Sequence, residues 1–168
     1  MREQGEIKGL ETDRIKEAYD RRKKVVPKGL YSYFNKGNLF IAQGREKAIL
    51  NLLDKYGMNP LDDKVILDLG CGEGQILRDF IKYGARPESL YGIDLLPDRI
   101  ESAKKISPNI DFRCGNAEEL AYEDEFFDIV MQSTVFTSIL DMNMKKKIAG
   151  EMLRVLKPSC LSCGTTIT

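Results

Sequence analysis

Glycines at alternate positions mark the part of the sequence best suited to bind a ligand. Gly70, Gly72 and Gly74 follow the apolar run 65–69, and Asp68 stands two positions before the first of them. Glycine lets the backbone turn sharply and lets a ligand approach it without interference from a Cβ atom. A tight strand-to-helix turn without a ligand is the alternative interpretation.

The spacing of this loop separates two classes of nucleotide cofactor. A dinucleotide site favours G-x-G-x-x-G, whereas the spacing here is G-x-G-x-G. A carboxylate at the position of Asp68 would repel a pyrophosphate, but it could hold the ammonium group of an amino acid. The pattern therefore favours a nucleoside that carries methionine over a dinucleotide.

A second carboxylate, Asp94, closes the apolar run 90–93, twenty residues after Gly74. At the tip of a strand, a carboxylate can accept hydrogen bonds from both hydroxyls of a ribose. Leu95, next to it, is placed to pack on the face of an adenine. The alternative is that Asp94 caps the helix in whose first turn Pro97 lies. Asp94 thus supports nucleoside binding without choosing between cofactor classes.

Short apolar runs alternate with helical patterns in the elements that must position these carboxylates. Strands are predicted at 65–69, 90–93, 110–113 and 127–131, and helices at 73–83, 97–105 and ahead of Pro158. The last helix is predicted to place four apolar residues on one face, namely Ile148, Met152, Leu153 and Val155. Such alternation predicts right-handed βαβ units, and hence an α/β fold with a parallel sheet and helices on both faces. The carboxyl ends of its strands meet at one edge.

Two further helices are predicted before the sheet, at about 12–24 and 43–56. We expect residues 1–42 to form an amino-terminal helical cap segment and residues 43–168 to form the ligand-binding domain. An aromatic stretch lies between the two helices and contains Tyr31, Tyr33, Phe34 and Phe40. These side chains either line an acceptor pocket or pack the amino-terminal helices onto the domain.

Several segments together resemble the class I S-adenosylmethionine-dependent methyltransferase family. Residues 65–77, VILDLGCGEGQIL, resemble its first motif, and residues 91–95, YGIDL, resemble its second. The resemblance continues in the same order through residues 114–120, 127–132 and 151–158. It implies a Rossmann-like sheet, S-adenosyl-L-methionine as cofactor and methyltransferase activity. The family pattern continues beyond the segment that matches residues 151–158. The resemblance therefore also implies a truncated domain that lacks its last two or three strands.

The predicted cofactor site contains Asp68, Gly70, Cys71, Gly72, Asp94, Leu95, Asn116, Ala117, Gln132 and Ser133. By the resemblance, the first four line the methionine portion, Asp94 holds the ribose, and the last two lie near the reacting methyl group. Asn116 would meet the adenine amino group, and the backbone amide of Ala117 would face a ring nitrogen. The family usually has aspartate at position 116, but an asparagine carbonyl can still accept that hydrogen bond. The alternative for Asn116 is a turn residue after Gly115.

Methyl transfer from a sulfonium is a direct displacement, so alignment is the protein's main task and no general base is compulsory. The chain has no histidine, and it lacks the Asn/Asp-Pro-Pro-aromatic run typical of methylation at a base or amide nitrogen. We expect a small-molecule acceptor and assign no catalytic residue. Asp141 either orients a substrate or caps the following helix. The alternatives are a cofactor-binding module without catalysis and an aminopropyltransferase-like relative that uses a decarboxylated cofactor.

The composition argues against several kinds of partner. Lys plus Arg and Asp plus Glu both number 26, so the net charge is zero and no nucleic-acid partner is expected. No apolar run approaches membrane-spanning length, so a cytoplasmic protein without a membrane partner is expected. A lone C-x-x-C pair, Cys160 and Cys163, predicts no metal site. The tail 159–168 is polar and unlike a buried strand, which would leave a sheet edge exposed and favour a homodimer.

Overall fold

The structure is a computed structural model that describes residues 2–165, with the surroundings of side chains described from residue 10 to residue 158. The chain divides into two units, Met1–Asn59 and Pro60–Thr168. The domain boundary expected after residue 42 falls inside a continuous helix, Lys36–Lys55, which belongs whole to the first unit.

The first unit contains two helices, α1 (Arg2–Val25) and α2 (Lys36–Lys55). Both begin earlier than the sequence pattern predicted. Residues 2–11 carry several good helix formers, so α1 extends back through them. Asn35 caps α2, because its side-chain oxygen accepts hydrogen bonds from the amides of Gly37 (3.0 Å) and Asn38 (3.4 Å). The prediction missed this cap because no apolar periodicity follows it directly.

The second unit is a parallel sheet with helices between its strands. The strands are β1 (Ile66–Leu69), β2 (Leu90–Asp94), β3 (Asp111–Cys114), β4 (Phe127–Ser133) and β5 (Leu156–Thr165). The helices are α3 (Gln75–Lys82), α4 (Pro97–Ile106), α5 (Val135–Ser138) and α6 (Met142–Val155), and a short 3-10 helix spans Pro87–Ser89. The strand order is β3-β2-β1-β4-β5, and all pairs are parallel. The predicted Rossmann-like α/β fold is therefore confirmed.

The centre of the sheet is β1, and its apolar run reflects burial on both faces. Leu67 and Leu69 are completely buried. Leu69 pairs with Ile93 on one side and with Gln132 on the other. The chain moves outward from β1 first to β2 and β3, then returns to β4. A crevice for a ligand is expected outside the carboxyl ends of the strands where the order reverses, beside β1 and β4.

Helix α6 shows one error of the predicted apolar face. Ile148, Met152 and Val155 are buried, but Leu153 is 66% exposed. Leu153 lies five residues after Ile148, which places it roughly 140° around the helix. The helix also ends at Val155, before Pro158, and Pro158 lies in β5.

The polar tail forms a strand, contrary to the prediction. Backbone pairing joins β5 to β4 from Ile129 with Leu161 to Ser133 with Thr165, after a shift in register that accommodates Pro158. Backbone hydrogen bonds to a neighbouring strand do not depend on side-chain polarity, so composition was a poor guide here. The last three residues of the predicted tail, 166–168, lie outside the described residues.

Two polar clusters hold the connections around the sheet. Arg154 of α6 donates to the carbonyls of Leu120 and Tyr122 and to the carboxylates of Asp124 and Glu151, at 2.7–2.9 Å. The Glu151 carboxylate accepts in turn from the amide of Leu120 at 2.7 Å. Arg154 and Glu151 of α6 thus hold the segment that joins β3 to β4, and we call this set of hydrogen bonds the clamp.

The second cluster lies at the amino end of β4. The Asp128 carboxylate is 2.8 Å from the Lys157 ammonium group and accepts from the amide of Val65 at 2.8 Å. One nearly buried carboxylate therefore joins the starts of β1, β4 and β5. This end of the sheet is opposite the loop at residues 70–74, which we call the glycine loop.

Aromatic rings pack around the same amino ends. Phe127 meets the rings of Tyr91, Tyr122 and Phe126 edge-on, with centroids 4.9–5.3 Å apart. Burial raises the pKa of Tyr122 to about 12. The Arg113 guanidinium lies 4.8 Å from the centre of the Tyr122 ring. This cluster fixes the β3–β4 segment from its other side.

Candidate cofactor site

Backbone hydrogen bonds bring the loops after β1, β2 and β3 together. The carbonyl of Ile93, in β2, accepts from the amides of Gly70 (2.7 Å) and Cys71 (3.0 Å). The carbonyl of Asp94 accepts from the amide of Gly115, directly after β3, at 3.0 Å. The glycine loop, the tip of β2 and the start of the β3–β4 segment therefore form one connected rim.

The three glycines of the loop are required for different reasons. Gly70, Gly72 and Gly74 all have positive φ, between 56° and 79°. A Cβ on Gly70 would overlap Val135, and one on Gly74 would lie 2.5 Å from the Phe112 ring. A Cβ on Gly72 would find no atom closer than 3.8 Å. The first and third glycines thus allow close packing, whereas the second needs only its conformation and leaves space beside the backbone.

Asp94 joins the glycine loop to the start of α4. Its side chain is 6% exposed. One carboxylate oxygen accepts from the amide of Gly72 at 2.8 Å, and the other accepts from the amide of Leu96 at 2.9 Å. Leu96, and not Asp94, is the N-cap of α4, and no side chain caps this helix, so the capping alternative is wrong. The bond to Leu96 is a turn contact ahead of the helix. Because each carboxylate oxygen has two lone pairs, each retains acceptor capacity for a ligand hydroxyl.

Buried carboxylates and arginine side chains both lie beside the glycine loop. Arg78 donates to the carbonyl of Glu73 at 2.7 Å, and Arg99 lies near Gly72. Asp68 at the end of β1 is 1% exposed. The pKa of the Cys71 thiol is raised, chiefly by burial and further by the charges of Asp68 and Asp94, while Arg99 opposes the shift. The thiol therefore stays protonated. The carboxylates of Asp68 and Asp94 thus lie close enough to the thiol to affect its pKa.

Asn116 forms a side-chain turn with Glu118. Its carbonyl oxygen accepts from the amide of Glu118 at 3.0 Å, and its amide nitrogen donates to the Glu118 carboxylate at 2.9 Å. Asn116 is therefore a turn residue after Gly115, as the alternative interpretation of the sequence proposed. Ala117 between them is half-buried, as is Leu95 after β2. The contacts of these residues with adenine remain predictions.

Gln132 and Ser133 end β4 beside β1. Gln132 is 1% exposed, and its side-chain oxygen accepts from the amide of Val135, the first residue of α5, at 2.9 Å. Thr134 follows with a φ of 66°, which is rare for a β-branched residue and costs about 1–3 kcal/mol. Nothing in the sequence signals this strain, and the prediction missed Thr134. Such strain beside a predicted site is typical of functional loops.

Asp141 caps α6, because one of its carboxylate oxygens accepts from the amide of Asn143 at 2.8 Å. This contact supports the capping interpretation. Among the side chains of residues 10–158, no group of three or more cysteine, aspartate or glutamate residues is arranged to hold a metal ion. In the same part of the chain, no helix has the length and apolar character needed to span a membrane.

Comparisons with known proteins agree with this geometry. A family model described as a methyltransferase domain matches residues 66–159. A ubiquinone biosynthesis O-methyltransferase of Bartonella tribocorum is 33% identical over 119 residues, which cover 68% of this chain and 47% of that protein. The chain spans about half the length of the curated relatives it matches.

Two solved structures extend the comparison. One from Methanosarcina mazei, described as a SAM-dependent methyltransferase, has a TM-score of 0.53 and 30% identity over 58% of this chain and 49% of that one. A crystal structure of a Pyrococcus horikoshii protein has a TM-score of 0.63 and 26% identity over 81% of this chain and 57% of that one. With the glycine loop, the two carboxylates and the strand order, the matched domain shows that the chain belongs to the class I S-adenosylmethionine-dependent methyltransferase family.

Proposed function

We propose that this chain binds S-adenosylmethionine at the carboxyl ends of β1, β2 and β3, and that its protein transfers the methyl group to a small molecule. The observation that carries the proposal is the pair of buried carboxylates, Asp68 and Asp94, beside a glycine loop with positive φ values. A cofactor with an amino-acid end and a ribose fits this pair of carboxylates. Asp94 suits the ribose of either cofactor class, whereas the charge of Asp68 disfavours the pyrophosphate of a dinucleotide.

Each predicted residue has a role that its surroundings support. Gly72 leaves space for a ligand to approach the backbone, and Asp94 can use its remaining lone pairs for the ribose hydroxyls. Asp68 and the neutral thiol of Cys71 would face the methionine portion. We propose the same end of the ligand for Gln132 and Ser133, because Gln132 pairs with Leu69 immediately before the loop.

We propose that the adenine lies between Leu95, after β2, and the turn that Asn116 and Ala117 form after β3. The hydrogen bond from Gly115 to Asp94 places these two segments side by side. The carbonyl oxygen of Asn116 already accepts one hydrogen bond, so it has one further lone pair for the adenine amino group.

The bound cofactor supplies an activated methyl group on a sulfonium. The protein's part is to hold the acceptor in line with that methyl group and to exclude competing water. Buried carboxylates favour the positive charge before transfer, so they contribute mainly to binding. The reaction needs no proton acceptor from this chain when the acceptor atom is already ionised.

The relatives named for ubiquinone biosynthesis transfer methyl groups to oxygen, which makes a hydroxyl the first acceptor to test. Incubation of the chain with S-adenosylmethionine and separate sets of phenols, carboxylic acids and amines, with S-adenosylhomocysteine as the measured product, tests the proposal. Product formed only with a phenol supports O-methylation. Cofactor binding without turnover on any acceptor favours the alternative of a non-catalytic binding module. In a separate incubation with the decarboxylated cofactor and an amine, release of methylthioadenosine would favour an aminopropyltransferase.

A further inference from the structure

A local excess of positive charge is hidden within the neutral total. Residues 21–45 contain seven basic residues and no Asp or Glu, although the whole chain has a net charge of zero. They are Arg21, Arg22, Lys23, Lys24, Lys28, Lys36 and Arg45. Arg21 lies 3.7 Å from Glu17, and Lys23 lies 3.4 Å from Asp20, both on the preceding turns of α1. The segment itself contributes no acidic residue.

The same segment exposes large apolar side chains. Phe34 is 99% exposed, Val25 78% and Phe40 77%. Leu30, Tyr31, Tyr33 and Ile41 are exposed as well. Apolar residues scattered singly on a surface are ordinary, but here seven exposed ones fall within 17 consecutive positions of the sequence. We call residues 21–45 the basic aromatic surface.

The turn that presents these side chains is well ordered by its own polar groups. Asn35 donates to the carbonyl of Leu30 at 3.0 Å, and Asn38 donates to the carbonyl of Tyr31 at 2.9 Å. The hydroxyl of Ser32 accepts from the amide of Phe34 at 3.2 Å. Arg22 both donates to the Tyr31 hydroxyl and lies near its ring. With these backbone groups satisfied internally, the turn can enter a less polar environment without leaving them unpaired.

We infer that the basic aromatic surface binds the face of a bilayer that contains anionic phospholipids, with Phe34 and Phe40 entering the headgroup region. Basic residues beside exposed aromatic and aliphatic side chains match the two attractions of an interfacial anchor, which are charge and apolar burial. Aliphatic residues such as Val25 and Ile41 favour lipid over a nucleic acid, which would offer bases for stacking but no apolar interior. The inference is independent of the proposed methyl transfer.

Flotation of the full chain with vesicles tests this inference. We expect binding to vesicles of phosphatidylcholine and phosphatidylglycerol, little binding to phosphatidylcholine alone, and weakening as salt is added. The Lys24→Gln/Lys28→Gln variant should bind the anionic vesicles at least tenfold more weakly. The matched Lys104→Gln/Lys105→Gln variant, at an exposed site on α4, should bind like the wild type. Equal binding by the two double variants would overturn the inference.

A single tryptophan reports insertion directly, because the chain has none of its own. In a Phe34→Trp variant, we expect the emission to shift to shorter wavelength with anionic vesicles and to be quenched by brominated lipid. Leu153→Trp, at another exposed apolar position, should show neither change. An unchanged Phe34→Trp spectrum would overturn the inference. Tight binding of single-stranded oligonucleotides that prevents vesicle binding would also overturn it. Self-association that a Phe34→Ser substitution abolishes would overturn it as well.

Discussion

Asp94 serves both the fold and the proposed ligand. Its two carboxylate oxygens join the amides of Gly72 and Leu96, which lie on the two loops that bracket the site. These two hydrogen bonds fix the shape of both loops before any ligand binds. A residue with both tasks cannot be tested by a loss of affinity alone, because a disturbed loop would also weaken binding.

Asp94→Asn is the variant that best separates these tasks. The substitution keeps the shape of the side chain and removes its charge. It also replaces one of the two accepting oxygens with an NH2 group, which cannot accept from a backbone N–H. We expect binding of S-adenosylmethionine to weaken at least tenfold by titration calorimetry, because charge-assisted hydrogen bonds to the ribose are lost.

The matched control is Asp128→Asn, which alters a nearly buried carboxylate at the other end of the sheet. It should lower Tm without changing the affinity of the folded protein. Unchanged affinity in folded Asp94→Asn would remove Asp94 from the site, and equal losses in both variants would attribute the effect to the fold.

Asn116 gives the second prediction at the scale of single residues. A carboxylate is a stronger acceptor for an adenine amino group than an amide carbonyl is. The structure adds a reason for asparagine, since its amide nitrogen donates to the Glu118 carboxylate at 2.9 Å. Asn116→Asp would place two carboxylates together, so we expect a loss of about 1–2 kcal/mol in the free energy of unfolding at neutral pH. Asn109→Asp, in an exposed turn, is the control. Higher stability of Asn116→Asp would show that the Asn116–Glu118 contact is unimportant.

Within the glycine loop, neighbouring glycines are expected to respond differently to the same substitution. Gly70→Ala adds left-handed strain and an overlap with Val135, for a loss of about 3 kcal/mol in the free energy of unfolding. A second change, Val135→Ala, should recover part of that loss. Gly72→Ala adds only the strain, about 1–2 kcal/mol, but its methyl group would occupy the space left for a ligand.

Chemical unfolding and calorimetry on the same samples compare these variants. Gly72→Ala should lose at least tenfold in S-adenosylmethionine affinity while remaining the more stable of the two single variants. A Gly72→Ala protein that binds the cofactor normally would contradict the proposed approach of the ligand to this backbone.

The clamp between α6 and the β3–β4 segment predicts a dependence on pH. The Arg154 guanidinium holds the pKa of Glu151 below its usual value, chiefly by a side-chain hydrogen bond. A carboxyl group whose pKa is lowered by folding stabilises the protein above its ordinary pKa, and that contribution is lost as the pH falls through the folded value. Wild type should therefore exceed Glu151→Gln in Tm at neutral pH by roughly 2–4 °C, and the difference should vanish in acid. A difference that persists at low pH would contradict this origin.

The sequence predicted the central elements well because their signals are local. A buried parallel strand such as β1 is a continuous apolar run, and the glycines after it announce a turn. Signals from distant residues were not available. Gly70 and Gly74 are required by Val135 and the Phe112 ring, and the strain at Thr134 depends on the surrounding loops. The strand at 156–165 depends on its pairing with β4, which composition does not encode.

For the whole molecule, the edge of the sheet at β5 remains the basis of the predicted homodimer. Within residues 2–165, β5 pairs with β4 and no strand lies on its other side. The opposite edge, β3, is only four residues long and carries an ion pair between Arg113 and Asp111 at 2.7 Å, a form of protection common on edge strands. We expect light scattering to show a dimer that grows with concentration. A monomer at all concentrations would contradict the prediction.

The neutral total charge also concealed how charge is distributed. Two buried acidic side chains, Asp68 and Asp94, lie beside the glycine loop, while the segment 21–45 contains seven basic residues and no acidic one. The sequence prediction of no membrane partner rested on the absence of a spanning segment. That absence does not describe a peripheral surface, which depends on local charge and exposure.

Titration calorimetry of the chain with S-adenosylmethionine, S-adenosylhomocysteine and NAD tests the central claim most directly. We predict that the two adenosyl compounds bind at a single site, that NAD does not bind, and that Gly72→Ala and Asp94→Asn each weaken the adenosyl compounds at least tenfold. Binding of NAD without binding of S-adenosylmethionine would contradict the claim, as would equal S-adenosylmethionine affinity in the wild type and both variants.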